Sequence, residues 1–441
     1  MKSLWKNSIW IFFIILMVLF LPSSLTMHAQ TTDRSIAIAI GIDKLEKNMY
    51  EVSAEIVIPM FQTTFNQNAQ VISAVGQNTS EALNGLSIHI GKIIGLSHCS
   101  AVILGNSLKD ENIAELLDQI LRGKRINYNT QLIFSNNSAK EILKKAVEID
   151  GAYIQNINEI LRYNDKFVTT TNTLVSSFFQ TYYDNHGASL LPLINLSTNE
   201  YEGISKDNSS GSSGGQTSGE SQGGESSGGS SQGGSGGSSQ GGSSGGGGES
   251  SCSQSQQPQY FSNNGESAIF KKGKYLTSLS TEQVKQLGLL GEKKDRGLIT
   301  VKNISDNFLN DAEVVFSIKN RMSTKRVSFS ETGIPQIFIT HDYYLRIEEI
   351  VDDSFKPSLA DDTHNYFSQQ LKNRFKQEVQ KQCASAINFC KEYNVDPLNF
   401  YQLFNRFQHK KWIDYLDSLE NPDDYIQNIE IFMDIKVKDV D

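Results

Sequence analysis

The 441-residue sequence predicts an α+β protein with mixed sheets flanked by helices, two to three domains and a long disordered Gly/Ser insertion. Three observations support this prediction. Alternating apolar residues indicate strands, and apolar stripes at helical spacing lie between them. A tract of almost pure Gly, Ser and Gln runs from Ser205 to about Pro258. Such a tract cannot bury a core, so we expect it to be disordered.

The composition excludes several classes of function. The formal net charge is −9 and the sequence pI is about 5.4, which argues against a nucleic-acid partner because a basic face is the usual footprint of nucleic-acid binding. The four cysteines (Cys99, Cys252, Cys383 and Cys390) show no zinc spacing. Cys383 and Cys390 lie two helical turns apart, about 10 Å, which is too far for a disulfide. We expect them to be small buried apolar side chains.

Residues 1–30 read as a signal peptide or a membrane anchor. Lys2 and Lys6 precede the unbroken apolar run Ile9–Leu21, and Pro22 ends the run. A basic start, a short apolar run and small residues after it are typical of export signals. The run is shorter than the roughly 20 residues that span a bilayer. Cleavage and retention both remain open, and in either case we expect the rest of the chain to be exported.

Residues 33–203 are predicted to form an N-terminal domain. Ile36–Ile40 reads as a strand, and Gly41 and Asp43 as turn residues, with Gly41 permitting positive φ and Asp43 capping its own backbone. Strict alternation from Tyr50 to Ile58 predicts a half-buried strand. The remaining pattern alternates strands (Val71–Val75, Ala101–Leu104, Thr130–Phe134 and Leu190–Leu196) with helices (from Ser80, Asn112–Leu121, Ser138–Ile149, Ile154–Arg162 and Asn172–Tyr182).

Residues 259–441 are predicted to form a C-terminal domain that opens with the stretch Gly265–Gly291. This stretch reads as a strand, a Lys272–Gly273 turn, a second strand and a helix capped by Ser280 or Thr281, ending at Gly288 and Gly291. Further predicted elements are strands (Leu298–Val301, Asp311–Lys319, Lys325–Phe329, Gln336–Thr340 and Tyr344–Ile350), a long helix with a buried stripe (Phe367–Tyr393), an aromatic segment (Phe400–Trp412) and a closing strand (Tyr425–Val437).

The Gly/Ser tract at residues 204–258 has two interpretations. It is either an interdomain linker or an insertion in a surface loop. If the strands at 191–196 and 267–270 share a sheet, the tract is an inserted loop, because long loop insertions cost little free energy. The domain boundary would then fall near Gly297.

The sequence contains no residue that we assign as catalytic, cofactor-binding or metal-binding, since the P-loop, G-x-G-x-x-G, H-E-x-x-H and G-x-S-x-G patterns are missing. His98 beside Cys99 suggests a nucleophile and its base. Neighbours in an extended chain point to opposite faces, so we expect a packing or hydrogen-bonded histidine instead. The acidic pairs Asp352–Asp353 and Asp361–Asp362 read as solvated loops, because the calcium-loop pattern is missing. Tyr343–Tyr344 and the aromatic side chains from Phe400 to Phe407 read as core.

Several segments resemble the Ger(x)C family, the C subunits of spore germinant receptors. These are SIAIAIGIDKLEKNMYEVSAEIVIP at 35–59, Ser97–His98 before an apolar strand, Arg122, the stretch Gly265–Gly291, and the long helix followed by Asp396 and a final strand. The chain departs from the family in one respect. The family carries a lipobox cysteine after the apolar run, whereas this chain has no cysteine before Cys99. We therefore expect no lipidation.

The resemblance implies a non-enzymatic, GerAC-like protein that takes part in spore germination and needs no cofactor. It implies a subunit of a nutrient germinant receptor, extracytoplasmic and membrane-associated on the outer face of the inner spore membrane. The implied partners are integral-membrane A- and B-type receptor subunits. The alternative is an exported ligand- or envelope-binding protein of the same fold, without these partners.

Overall fold

The computed structural model describes residues 16, 34–46, 49–57, 69–122, 126–150, 171, 173–184, 186–197, 260–262, 265–291, 296–305, 311–351 and 367–439. Residues 34–196 and 261–439 belong to one compact unit. The helix predicted at Ile154–Arg162, both acidic pairs, the tract at 204–258 and nearly all of segment 1–30 lie outside the described residues.

The first half of the described chain is built on a ten-stranded mixed sheet. Its strands are β1 (Arg34–Lys44), β2 (Tyr50–Val57), β3 (Ala69–Gly76), β4 (Ile93–Gly95), β5 (Ala101–Leu104), β6 (Gln131–Ser135), β7 (Ala188–Ser197), β8 (Tyr260–Ser262), β9 (Ser267–Lys271) and β10 (Lys274–Leu279). The main path runs β10-β9-β7-β6-β5-β1-β2-β3. β1, β5, β6 and β7 are parallel, and the outer pairs are antiparallel.

Helices cover both faces of this sheet. They are α1 (Thr79–Ile90), α2 (Ile113–Arg122), α3 (Ala139–Asp150) and α4 (Val175–Tyr183). α1, α2 and α4 bury Leu86, Leu117 and Phe178 on one face. α3 buries Ile142 and Leu143 on the other face. The predicted α+β class, with mixed sheets flanked by helices, is confirmed.

The predicted turn at Gly41–Asp43 is wrong, because β1 continues through it to Lys44. Gly41 is needed for close packing, since a Cβ there would lie 2.9 Å from the Cβ of Ala139. The Asp43 carboxylate caps α3 and not its own backbone. It accepts hydrogen bonds from the Ala139 N–H (2.9 Å), the Lys140 N–H (3.0 Å) and the Ser138 hydroxyl (2.9 Å). A carboxylate at this helix end satisfies free N–H groups and complements the helix dipole.

β2 is buried on both faces, so the predicted half-buried strand is also wrong. Val52, Ala54 and Ile56 face the core under α1 and α2 as expected. Ser53 and Glu55, on the other face, are equally inaccessible to solvent. That face is covered because α3 packs across it, and α3 comes from a segment more than 80 residues away.

The stretch Gly265–Gly291 forms the predicted strand, turn, strand and helix. Lys272 and Gly273 take φ values of 51° and 78°, and Ser280 caps α5 (Thr281–Leu290) in a capping box with Gln283. α5 runs past Gly288, which was predicted to help end it. β9 lies between two hydrophobic cores. Ala268 and Phe270 pack in the core between the first sheet and its helices, and Ile269 packs in the core that includes the second sheet.

The second half is built on a four-stranded sheet with the order β11-β12-β13-β14. Its strands are β11 (Gly297–Ile304), β12 (Ala312–Phe329), β13 (Pro335–Val351) and β14 (Glu430–Asp439). The four short strands predicted between residues 311 and 350 are therefore two long ones. Register shifts at 315/316 and 318/320 break the alternation and hide their continuity in the sequence. β14 runs parallel to β13.

One face of this sheet packs on α5 and the long helix α6 (Gln369–Glu392). The predicted stripe on α6 is confirmed for its central residues, since Leu371, Phe375, Val379, Cys383 and Cys390 are buried. α7 (Phe400–Phe407) and α8 (His409–Asp417) form the aromatic segment. The start of the predicted closing strand is instead a 3-10 helix, Pro422–Asn428.

The strands on either side of the Gly/Ser tract pair directly. β7 and β9 are antiparallel neighbours, with Leu190 opposite Ile269 and Leu191 opposite Ala268. β9 and β10 thus belong to the first sheet, although the predicted C-terminal domain starts at residue 259. The predicted domain bounds stay predictions.

This pairing leads us to expect that excising Ser209–Ser251 leaves the relative placement of the two sheets unchanged, because the shared sheet and not the tract sets the geometry. Spin labels at Asp118 and Asp417 would report the distance distribution with and without the tract. A broad distribution that narrows on excision would instead identify the tract as an interdomain linker.

Candidate functional site

The structure separates the two residues that suggested a nucleophile. His98 is exposed, whereas Cys99 is buried and its thiol donates to the Ala101 carbonyl at 3.2 Å. Burial raises the pKa of Cys99 to about 12. Cys383 and Cys390 are also buried free thiols, and burial raises the pKa of Cys383 to about 12. Among the described residues, no group of three or more His, Cys, Asp or Glu side chains could hold a metal ion.

The other predicted side chains fall mainly in the core. Tyr343, Phe400 and Phe404 are buried as expected. Tyr344 and Tyr401 are only half-buried, and Phe407 has an exposed fraction of 60%. Arg122 is exposed at the end of α2 and pairs with Asp118 of the same helix, as a cation at a helix C-terminus does.

A polar network that joins the two halves is centred on carboxylates of the second half. The Asp396 Oδ2 accepts hydrogen bonds from the Tyr425 hydroxyl (2.8 Å) and the Tyr401 N–H (2.9 Å). The same hydroxyl oxygen lies 3.1 Å from the His186 carbonyl oxygen, so its single proton is shared between two acceptors. The Ala188 N–H donates to the Asp396 carbonyl at 3.2 Å. Burial raises the pKa of Asp396, and these hydrogen bonds oppose the rise.

A second carboxylate, that of Asp423, links the β9–β10 turn to the C-terminal 3-10 helix. The Lys272 Nζ lies 2.6 Å from one Asp423 oxygen, and the His186 Nδ1 lies 3.5 Å from the other. The His186 ring stacks on Tyr401 with centroids 3.9 Å apart. Burial lowers the pKa of His186, while Asp423 acts in the opposite direction. These groups hold the halves together, although Asp396 Oδ1 has no hydrogen-bond partner among the described residues.

A cleft of about 440 Å³ opens at the same junction. Its walls are mainly aliphatic, with Leu190 from β7, Val284 and Leu287 from α5, and Leu398 and Leu403 from the segment around α7. Lys325 on β12 also lines it. Apolar clefts of this size at interfaces between structural units, with a few polar groups, are typical ligand sites.

Sequence reasoning did not identify this cleft or the network. Asp396 was noted only through the family resemblance, Lys272 was noted only as a turn residue, and His186 and Asp423 carried no local signal. Lys272 and Asp423 are 151 residues apart in the chain. Only the packing of β9 and β10 against the C-terminal segments brings them together.

None of the helices in the described parts of the chain has both the length and the apolar character required to span a bilayer.

Two family profiles match the chain, one in each half. Residues 28–196 match the family described as spore germination protein N-terminal domain. Residues 265–438 match the family described as spore germination B3/GerAC like, C-terminal. The two matches lie on either side of the Gly/Ser tract.

Individual relatives are more distant. Spore germination protein KC of Bacillus subtilis (strain 168) is 22% identical over 191 residues, which is 41% of this chain and 47% of that protein. The chain thus spans about half the length of this curated relative. The crystal structure of the GerBC protein aligns over 92% of this chain and 98% of that chain, with 13% identity and a TM-score of 0.48.

Proposed function

The chain belongs to the GerAC-like family of spore germination proteins, and from this membership we propose that it is a non-enzymatic subunit of a nutrient germinant receptor. Membership of this family supports a role in spore germination. We further propose that the protein lies outside the cytoplasm, associated with the outer face of the inner spore membrane. Its proposed partners are integral-membrane A- and B-type receptor subunits.

The observation that carries the proposal is the match of both halves in chain order. The matched regions 28–196 and 265–438 include every strand of both sheets except β8, and the helices that cover the sheets. The described structure also supports a binding or scaffolding role over an enzymatic one. Cys99 is buried with a raised pKa, and the Asp396 Oδ2 is engaged with the Tyr425 hydroxyl and the Tyr401 N–H.

Deleting the gene is expected to slow germination in response to particular nutrients while leaving spore formation intact. Optical-density loss of purified spores after nutrient addition measures the response, and complementation with the intact gene is the control. Normal germination with every nutrient, in a strain without a redundant receptor, would contradict the proposal.

The alternative, an exported ligand- or envelope-binding protein of the same fold, is favoured by the cleft at the junction of the halves. Co-purification separates the two functions. The receptor subunit is expected to co-purify with a multi-spanning membrane protein from detergent-solubilised spore membranes. A freely exported binding protein would be recovered without one.

A further inference from the structure

Three isoleucine side chains are exposed at one end of the first sheet. The exposed fractions of Ile88, Ile93 and Ile36 are 78%, 60% and 47%. Ile88 lies in the last turn of α1, and Ile93 opens β4 after the exposed turn at Gly91 and Lys92. Isoleucine is among the residue types that folding buries most often, and exposed apolar side chains that cluster usually mark an interaction surface.

The strand register and a tight turn bring these side chains to the same end of the sheet. Ile36 pairs with Gly95 in the parallel pair β1–β4, and alternate residues along β4 share a face, so Ile36 and Ile93 project from the same face. The Gly91 N–H donates to the Ile88 carbonyl at 3.3 Å, and this turn leads directly from Ile88 into β4. We define the apolar tip as the residues Ile36, Ile88, Lys92 and Ile93.

The charge of this part of the chain suits a surface that carries phosphate groups. From Ala82 to Lys109 the sequence contains no Asp or Glu, although the whole chain has a net charge of −9. Lys92 is exposed in the middle of the tip, between Ile88 and Ile93. Large apolar side chains next to a lysine are the usual composition of a protein surface that lies in the interface of a bilayer. A lysine there keeps its ammonium at the level of the headgroups.

The tip is also the part of the first sheet that the chain connects most closely to its apolar run. Twelve residues, 22–33, separate the run Ile9–Leu21 from Arg34, which begins β1 and pairs with Ile93. Twelve extended residues span at most about 43 Å. β1 is 11 residues long, so the opposite end of the sheet lies about 33 Å further along the strand.

We infer that the apolar tip docks on the surface of a phospholipid bilayer. The three isoleucine side chains enter the boundary between headgroups and acyl chains, and the Lys92 ammonium pairs with lipid phosphate groups. The inference rests on the membrane association proposed above and adds which surface of the chain faces the membrane. A single tether leaves the orientation of the molecule free, whereas a second contact at the tip fixes it.

Fluorescent labels at single cysteines test the inference in the full-length chain. A Cys252→Ser background leaves only the three buried cysteines besides the label site. Ile88→Cys and Ile93→Cys each carry an NBD label at the tip. Glu46→Cys is the matched control, because Glu46 is exposed just beyond the other end of β1. On addition of vesicles of phosphatidylglycerol and phosphatidylcholine, we expect the emission of both tip labels to rise about twofold or more, since they leave water, and that of the control to stay unchanged.

A second measurement changes the tip and keeps the label. Ile36→Ser should lower the rise of the label at Ile93→Cys by about half, because it removes part of the apolar contact with the bilayer. Leu45→Ser is the matched control, since Leu45 is also exposed but lies beyond the other end of β1, and it should leave the rise unchanged. Circular dichroism establishes that each variant is folded.

Co-sedimentation with the same vesicles separates this inference from the proposed function. A chain that sediments while its tip labels do not respond would retain membrane association and overturn the inference, leaving the tip to a protein partner. Equal rises at the tip and at Glu46→Cys would also overturn it. A rise that follows protein concentration without vesicles would identify a second copy of the chain at the tip instead. A chain that does not sediment would contradict both the inference and the proposed membrane association.

Discussion

Replacing Phe375 by alanine is expected to lower the free energy of unfolding by roughly 3–5 kcal/mol. Phe375 is completely buried at the centre of the α6 stripe. Its ring packs edge-to-face on Phe316 of β12, with ring centroids 5.2 Å apart, and on Tyr343 of β13, with ring centroids 5.3 Å apart. Truncation removes these contacts and leaves a cavity that the long helix and two long strands cannot readily close.

Urea unfolding followed by circular dichroism measures this effect. Phe407→Ala is the matched control, because Phe407 has an exposed fraction of 60% and its loss should change stability by less than about 1 kcal/mol. A loss below about 1 kcal/mol for Phe375→Ala would show that the stripe does not hold the second core together.

Glu55→Gln is expected to remove a pH-dependent loss of stability. Glu55 is inaccessible to solvent, and both its carboxylate oxygens have no hydrogen-bond partner within the described residues. Burial alone raises its pKa from an ordinary value of 4.5 to about 7. The folded protein therefore holds this proton more tightly than the unfolded chain. The associated stability is fully present below the unfolded pKa and is lost as pH rises through about 7.

The difference between the two proteins gives the measurement. The unfolding free energy of Glu55→Gln is compared with that of the unmodified protein at pH 5 and at pH 8. We expect this difference to shift in favour of the variant by about 2–3 kcal/mol from pH 5 to pH 8, because glutamine cannot ionise. Glu141→Gln on the exposed side of α3 is the matched control and should show no such gain. A pH-independent difference between Glu55→Gln and the unmodified protein would show that Glu55 is ionised in the folded state at no cost.

Glu55 also illustrates a burial that the sequence alone could not predict. Alternation in β2 placed Val52, Ala54 and Ile56 correctly in one core. It placed Glu55 on a solvent face because a strand's own sequence does not show what covers its second side. α3 supplies that cover, and its position depends on the parallel order of β1, β5 and β6. The same holds for Asp43, whose cap on α3 joins residues 95 or more positions apart.

The sequence by itself determined many of the local elements of this protein and its family. The capping box at Ser280, the Lys272–Gly273 turn and the stripe around Phe375 were predictable because each depends on residues within a few turns of one another. Only the tertiary structure decided that β7 pairs with β9 and that Asp423 meets Lys272. Each of these contacts joins segments brought together by sheet order and inter-sheet packing, and the pairing of distant polar groups has no periodicity that a linear sequence could reveal.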